Sequence, residues 1–517
     1  MKFTLKLSSL LLAIIFLLSV FASCDIINEK ETDSAQENNV ECSAHLDSDD
    51  NGFCDNCKIS LLIYIDFYAL NDLHGKFSDT SSNQGVDELT TYLIRTALLD
   101  ENTVFLSSGD MWQGSSESNL TNGFIITEWM NELGFVSMTL GNHEYDWGEE
   151  IIEENSELAE FPFLAINIFD RATGERVEYC KPSVIVERNG IQIGIIGAIG
   201  DCYSSISGDK SKDIYFKVGH ELTDLVKEES ERLRSLGVDY IVYSLHDGFG
   251  QNKRSETKVT ANQIKSYYDI ELSDGYVDLV FEGHTHQKYV LVDEYGVYHL
   301  QNGGENKGIS HIEVAINSIT YSSKTNHAEF VESSSYSYLN GDPLRDQLLY
   351  KYKDEISKGD EILGSVKSYK DSHVIKQKVA ELYYQKGIEV WGEDYQIVLG
   401  GGFISTRNPY NLNAGKIRYS QLQSILPFDT QLVLCSIKGS DLKSKFFETN
   451  NSNYFIYFEK YGQNVKNSIN PNATYYLITD TYTSTYSYNR LTEIERFEDG
   501  VFARDLLAEF IKNGGWE

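Results

Sequence analysis

The chain has 517 residues, 41% of them hydrophobic and 12% aromatic, which is too long for one typical core and predicts about two to four folded domains. A formal net charge of −34 excludes a nucleic-acid polymer or an anionic membrane surface as the ordinary partner, because both require a basic face. The same field opposes the approach of an anionic substrate, so such a substrate demands a local positive focus from metal ions or arginine.

At the N-terminus, Lys2 and Lys6 precede an apolar run from about Leu10 to Ala22, followed by Ser23 and Cys24. A basic start and an apolar core too short to span a bilayer are those of a secretory signal, so residues 1–23 read as a signal peptide. Phe21-Ala22-Ser23-Cys24 also resembles a bacterial lipoprotein lipobox, although Phe21 departs from the usual aliphatic residue. That resemblance implies lipidation of Cys24 and anchoring on the extracellular face of the cell membrane, with plain secretion as the alternative. Residues 24–41 are polar and charged and read as a tether.

Residues 42–57 carry two overlapping metal patterns. Cys42, His45, Cys54 and Cys57 have the ligand types and spacings of a closed structural zinc site. Asp47, Asp49, Asn51 and Asp55, with Gly52 at the turn, follow a calcium loop, but its twelfth position is Lys58 rather than a carboxylate. A disulfide-stapled turn is the third reading. The segment resembles short Cys/His/Asp modules of bacterial surface proteins and reads as a spacer.

From about Leu62 to Ile319, apolar β-rich runs alternate with helical stretches, which predicts a layered α/β domain. The helical candidates are Val86 to Leu99, Ile125 to Leu133 and His220 to Leu236, the last with Leu222, Leu225, Val226 and Leu233 roughly on one face. Five polar clusters interrupt the pattern: Asn71-Asp72-Leu73-His74-Gly75, Ser108-Gly109-Asp110, Gly141-Asn142-His143-Glu144-Tyr145-Asp146, Ser244-Leu245-His246-Asp247-Gly248 and Glu282-Gly283-His284-Thr285-His286. Clear apolar runs precede the first, second and fourth; Val136 to Leu140 and Val277 to Phe281 are weaker cases of the same pattern. Groups just past the carboxyl ends of several strands converge on one crevice, so these clusters are expected to form a single site. They offer Asp72, His74, Asp110, Asn142, His246, His284 and His286 as ligands, all oxygen or imidazole donors that suit Zn, Mn, Fe or Co. With one carboxylate shared, they make two sites of about four ligands each, the layout of a two-metal hydrolase. His220, His299, His311 and His327 lack this context and read as structural or solvated.

In this order the clusters resemble the dimetal phosphoesterase superfamily, and their longer forms narrow the resemblance to the 5′-nucleotidase family. Phe161 to Asn167 and Gln301-Asn302-Gly303-Gly304 are similar to that family as well. The resemblance implies a layered β-sandwich/α metallophosphoesterase domain over residues 62–319, a connection over 320–365, and a smaller α/β substrate-binding domain over 366–517. Independently of the resemblance, residues 320–365 are polar and acidic, with helical character from Pro343 to Ile356, and read as an interdomain connection. The resemblance implies Asp72, His74 and His286 on one metal, Asn142, His246 and His284 on the other, and Asp110 bridging, with His143 as the catalytic acid oriented by Asp146. The implied reaction is extracellular hydrolysis of nucleotides by attack of a metal-bridging hydroxide on phosphorus. A 2′,3′-cyclic phosphodiesterase, a nucleotide-sugar hydrolase, a thiosulfohydrolase-type enzyme and a non-catalytic surface adhesin are the rivals.

In the C-terminal part the family's Gly-Gly-x-x-Arg becomes Gly401-Gly402-Phe403-Ile404-Ser405, with the arginine displaced to Arg407. Aligning the flanks puts Tyr454 and Tyr482 where two rings would clamp a base, with Arg407 near sugar or phosphate. The glycine-rich segment expected after the second ring is replaced by Thr483-Ser484-Thr485-Tyr486. Cys180, Cys202 and Cys435 read as buried thiols.

Overall fold

The computed structural model describes residues 44–79, 84–96, 100–249, 268–407, 410–448, 452, 454–458, 468–486, 490–497 and 501–517. The segments read as signal and tether, with Cys24 and Cys42, lie outside the described residues. Among the described residues no helix is long and apolar enough to cross a membrane.

Two six-stranded sheets form the first half. One contains β1 (Leu62–Leu70), β2 (Thr103–Ser107), β3 (Ser137–Thr139), β4 (Phe163–Leu164), β13 (Gly308–Asn317) and β14 (Ser323–Glu332), in the order β14-β13-β1-β2-β3-β4. The other contains β6 (Ser183–Arg188), β7 (Ile191–Ile199), β9 (Tyr240–His246), β10 (Leu279–Glu282), β11 (Lys288–Val292) and β12 (Tyr298–Asn302), in the order β11-β12-β10-β9-β7-β6. A small pair, β5 (Ile168–Asp170) and β8 (Ile214–Phe216), lies beside them.

The strand period of two explains the layering. Along β1, Ile65, Phe67 and Ala69 point at the facing sheet and pack with Val104, Leu106, Ile193, Val242, Leu279 and Phe281. Tyr68 and Leu70, on the other face, pack with Leu89 and Leu93 of helix Asp87–Thr96 and with Ile125, Trp129 and Met130 of helix Phe124–Glu132. Helix His220–Ser235 covers the second sheet through Leu222, Val226 and Leu233, which share one helical face. The result is two sheets back to back with helices outside both. Truncating a side chain such as Phe67, fully buried between the sheets, costs about 3–5 kcal/mol.

Residues 323–332, whose polar composition suggests a connection, instead form β14, which pairs with β13 along its length. An edge strand with one face in water needs few apolar residues, so its composition does not distinguish it from a loop. The helical character expected over Pro343 to Ile356 appears as Leu344–Lys351 and Lys353–Ile356.

The second half has its own cores and a five-stranded sheet: β16 (Ile397–Phe403), β18 (Leu432–Lys438), β19 (Tyr454–Tyr457), β20 (Thr474–Asp480) and β21 (Thr492–Arg496), in the order β19-β16-β20-β18-β21. A two-stranded sheet pairs β15 (Ile362–Val366) with β17 (Gly415–Arg418). Helix Ser372–Trp391, capped by the Asp371 carboxylate on the Val374 N–H, lies across the larger sheet. Its approach requires Gly400, where a Cβ would meet the Tyr384 backbone nitrogen at 2.3 Å.

Candidate active site

Each of the five polar clusters falls at a strand end. Asp72 and His74 follow β1, Asp110 follows β2, Asn142 follows β3, His246 ends β9, and His284 and His286 follow β10. Neighbouring strands β1, β2 and β3 run parallel, as do β9 and β10, so both sheets deliver these residues to one rim of the sandwich. The backbone there is held in an uncommon conformation. Asp72, His74, Asp110, His284 and His286 have φ of 51, 50, 55, 66 and 52°, a region costly for any residue with a Cβ and concentrated at functional sites. Gly141 serves a related purpose: a Cβ there would lie 2.3 Å from Asp110 Oδ1.

The ring nitrogens are oriented by backbone carbonyls. Nδ1–H of His74 donates to the Gln113 carbonyl at 2.9 Å, and Nδ1–H of His246 donates to the Ser108 carbonyl at 2.6 Å. In each ring this leaves Nε2 as the free lone pair, the arrangement typical of metal-binding histidine. His74 Nε2 lies 3.0 Å from His286 Nε2, and Asp72 Oδ1, buried without a hydrogen bond, is 3.2 Å from the latter. His246 Nε2 faces Asn142 Oδ1 and Asp110 Oδ2, each at 3.2 Å, and His284 Nδ1 is 2.9 Å from the same Asn142 oxygen. Lone pairs turned on one another in a buried site require a proton or a cation between them. At His246, burial opposes protonation, but the charges of Asp110 and Asp72 outweigh it and lift the imidazolium to about 10. His284 is instead pushed down to about 4, by burial and by the charge on His246. A field this demanding, built from oxygen and imidazole donors, fits divalent first-row metal ions.

Glu144, quoted above only as part of a motif, is fully buried. Its carboxylate accepts the backbone N–H groups of Asp110, Met111 and Gly141 at 2.9, 2.8 and 2.7 Å. It thereby ties the loop after β2 to the loop after β3. Burial and then the Asp110 charge raise its carboxyl to about 7. The acidic residue after Asn-His was the available sequence signal for this tie.

His143 sits on the single turn His143–Trp147. Its Nδ1 lies 2.8 Å from Asp146 Oδ2, and its Nε2 accepts from Arg407 Nη2 at 2.6 Å. Arg407 comes from the second half, its guanidinium 5.5 Å from the Phe428 ring centroid and its Nε buried without a hydrogen bond. The two halves of the chain thus meet at His143.

Residues 65–288 match the family described as calcineurin-like phosphoesterase. Protein UshA of Yersinia enterocolitica is 24% identical over 409 residues, 72% of each chain, and a 5′-nucleotidase of Diplobatis ommata is 24% identical over 430 residues, 76% of this chain and 71% of that one. Residues 65–288 thus carry a calcineurin-like phosphoesterase domain, and the chain resembles 5′-nucleotidases over about three quarters of its length. It is a hydrolase of phosphoesters. The crystal structure of a 5′-nucleotidase precursor from Thermus thermophilus shares the fold, with a TM-score of 0.64 at 17% identity over 88% of this chain and 97% of that one.

In this phosphoesterase, a cleft of about 290 Å³ joins Asn142, His143 and His284 to Phe403, Arg407, Phe428 and Tyr482 of the second half. Tyr482, one of the two rings expected to clamp a base, is thus part of the cleft lining. Tyr454 does not line the cleft: it stands on β19 behind Phe403, 5.9 Å away edge-on, and against Phe446 at 5.8 Å. Phe428, in the Leu426-Pro427-Phe428 run, lines the cleft with Tyr482, as do Phe403 and Tyr383. The segment in place of the expected glycines is the helical turn Thr481–Thr485, capped by the Asp480 carboxylate on the Thr483 N–H at 2.8 Å.

The described part of the N-terminal module docks far from this cleft. Asp47 and Asp50 accept from Asn317, and Asp50 also from Thr320 and Ser322, at the β13–β14 turn. That turn lies beside Leu62, at the opposite end of β1 from Asp72. His45 Nδ1 lies 3.4 Å from Cys54 Sγ and 3.6 Å from Cys57 Sγ. The acids of the calcium pattern are engaged with the turn itself: Asp47 accepts from Asn51 and Gly52 N–H, Asp55 from Ser48 N–H, and Asp49 from the Asn51 amide. Cys180, Cys202 and Cys435 are buried free thiols.

Proposed function

We propose that this phosphoesterase hydrolyses nucleotides in the manner of a 5′-nucleotidase, with Asp72, His74, His286 and Asp110 holding one divalent ion and Asn142, His246, His284 and Asp110 the other. The observation that carries the proposal is the convergence of lone pairs at the strand ends, above all His74 Nε2 and His286 Nε2 at 3.0 Å beside an unpartnered Asp72 oxygen. When bound, the two ions supply positive charge against the phosphoryl oxygens and acidify water. That charge also answers the net −34 field that would otherwise repel an anionic substrate.

The chain's own groups do the rest. Arg407 binds the phosphate or sugar, and in doing so it leaves His143. That exchange frees His143 Nε2 to carry a proton, while Nδ1–H remains on Asp146, so the ring is poised to protonate the leaving oxygen. Phe428 and Tyr482 bind the base by stacking, a contact worth about 1–3 kcal/mol per base. Product analysis after incubation with nucleoside monophosphates, cyclic nucleotides and nucleotide sugars, with Mn²⁺ or Zn²⁺ present, tests the reading, since among these only the monophosphates release inorganic phosphate in one hydrolytic step. Monophosphates should react fastest, and no release from any nucleotide would refute it.

Replacing Phe428 or Tyr482 with Ala should weaken nucleotide binding by about ten- to hundredfold, as loss of one stacking partner implies. Hydrolysis of a small aryl phosphate should survive both changes. Tyr454→Ala should spare nucleotide affinity, since that ring stands behind Phe403 and outside the cleft.

The proposal extends to location: the basic start, apolar run and lipobox-like Cys24 support export and lipid anchoring outside the cell. Cys24→Ala should release the protein from membranes or block its processing. Unchanged fractionation and unchanged mass would contradict the anchor.

A further inference from the structure

The outer face of the first sheet carries a second convergence of metal-binding side chains, about 20 Å along β1 from the catalytic rim, since Asp66 precedes Asp72 by six residues on an extended strand. Three neighbouring strands build it from two cross-strand rows. Tyr68, His311 and Glu329 are paired in one row, and Asp66, Glu313 and His327 in the next. Beside the second row, the β13–β14 register slips between Glu313 and Val314, leaving Asn326 as an extra residue. Such a bulge twists the edge strand and re-aims its side chains.

Within the cluster, His311 Nε2 lies 2.6 Å from Asp66 Oδ1, so the proton sits on Nε2 and donates to the carboxylate. The ring is stacked flat on Tyr68, with centroids 4.3 Å apart and planes 9° from parallel. Both contacts fix the imidazole and leave Nδ1 as the free lone pair. Nδ1 is 3.6 Å from Glu329 Oε1, and His327 Nε2 is 3.2 Å from the same oxygen. One donor atom from each of His311, His327 and Glu329 lies within 4.8 Å of the others. With bonds of about 2.0–2.2 Å, neighbouring ligands of a tetrahedral zinc lie about 3.3–3.5 Å apart. Two edges of this triangle are thus already near the length that a zinc ion would set.

We propose that His311, His327 and Glu329 form a zinc-binding site on the outer sheet face, with Asp66 as the carboxylate that orients His311. The ligand set is two imidazoles and one carboxylate, which suits Zn²⁺ among divalent ions and leaves one position for water. Carboxylate, imidazole and metal in sequence is the usual support for a zinc-bound histidine. The site joins β13 to the edge strand β14, so the bound ion would staple that edge.

The test titrates Zn²⁺ into protein whose active-site metals are already in place, followed by calorimetry and by metal analysis after desalting. Wild type should take up one equivalent that His327→Ala lacks, with phosphoester turnover equal in both. His327 is 53% exposed, so its replacement leaves the core untouched. Uptake at the N-terminal cysteines is common to both proteins and cancels in the difference. Asp66→Asn should keep the extra equivalent but bind it about 10- to 100-fold more weakly. Equal uptake by wild type and His327→Ala overturns the site. Loss in His327→Ala together with wild-type affinity in Asp66→Asn overturns the orienting role of Asp66.

Discussion

His143→Ala should lower kcat on a nucleoside monophosphate about 10²- to 10⁴-fold, the range that general acid catalysis supplies, without emptying either metal position. Neither ring nitrogen of His143 is directed at the converging lone pairs: Nδ1 is on Asp146 and Nε2 on Arg407. His143 meets the candidate ligands through an edge-on ring contact with His74, centroids 5.2 Å apart, and through its backbone N–H, which donates to Asp110 Oδ1 at 2.8 Å and survives truncation to Ala. The loss should shrink on nitrophenyl phosphate, whose leaving group needs little protonation. Asp146→Asn should give a milder version, because it alters only the orientation and charge support of the ring. Steady-state kinetics on both substrates, with metal content measured beside them, check the assignment. An emptied metal position in His143→Ala would make the residue a ligand instead.

Asp110→Asn should be at least as damaging, through a different route. One carboxylate oxygen holds the His143 N–H and the other faces His246 Nε2 at 3.2 Å. An amide in its place removes the charge and turns an N–H₂ donor toward one of these two groups. Loss of an outer-shell partner already costs about 10- to 100-fold in metal affinity or activity. A carboxylate shared by both ions should exceed that, and metal content should fall together with kcat. Full metal content with full activity in Asp110→Asn would exclude the bridging role.

The strand-end clusters were legible because each one breaks an apolar run with residues that strands disfavour, and that contrast survives in a single sequence. The five left-handed backbones beneath them were not, since φ depends on loops that close only in three dimensions. Glu144 was visible as a letter of a motif, but its three backbone contacts lie on loops more than thirty residues apart in two cases. β14 was hidden by its solvent-facing side, which gives an edge strand the composition of a linker. Tyr454 and Phe428 show the limit of aligning flanks. Both are aromatic and near the expected place, but Tyr454 stands on β19 while Phe428 lies between helix Tyr419–Ile425 and β18, and Phe428 is the one of the two that lines the cleft. The Arg407 to His143 contact spans 264 positions and joins two separately built cores, so no local pattern could announce it. His311 and His327 read as incidental in sequence because β1, β13 and β14 must pair before Asp66 and Glu329 stand beside them.

The most direct test of the dimetal centre is anomalous diffraction at the Mn or Zn absorption edge from crystals of the metal-loaded protein. Two peaks about 3.5–4 Å apart, one beside Asp72, His74 and His286 and one beside Asn142, His246 and His284, with Asp110 between them, are the expected result. No peak at this rim, or a single ion that leaves one of these triads without metal, would contradict it.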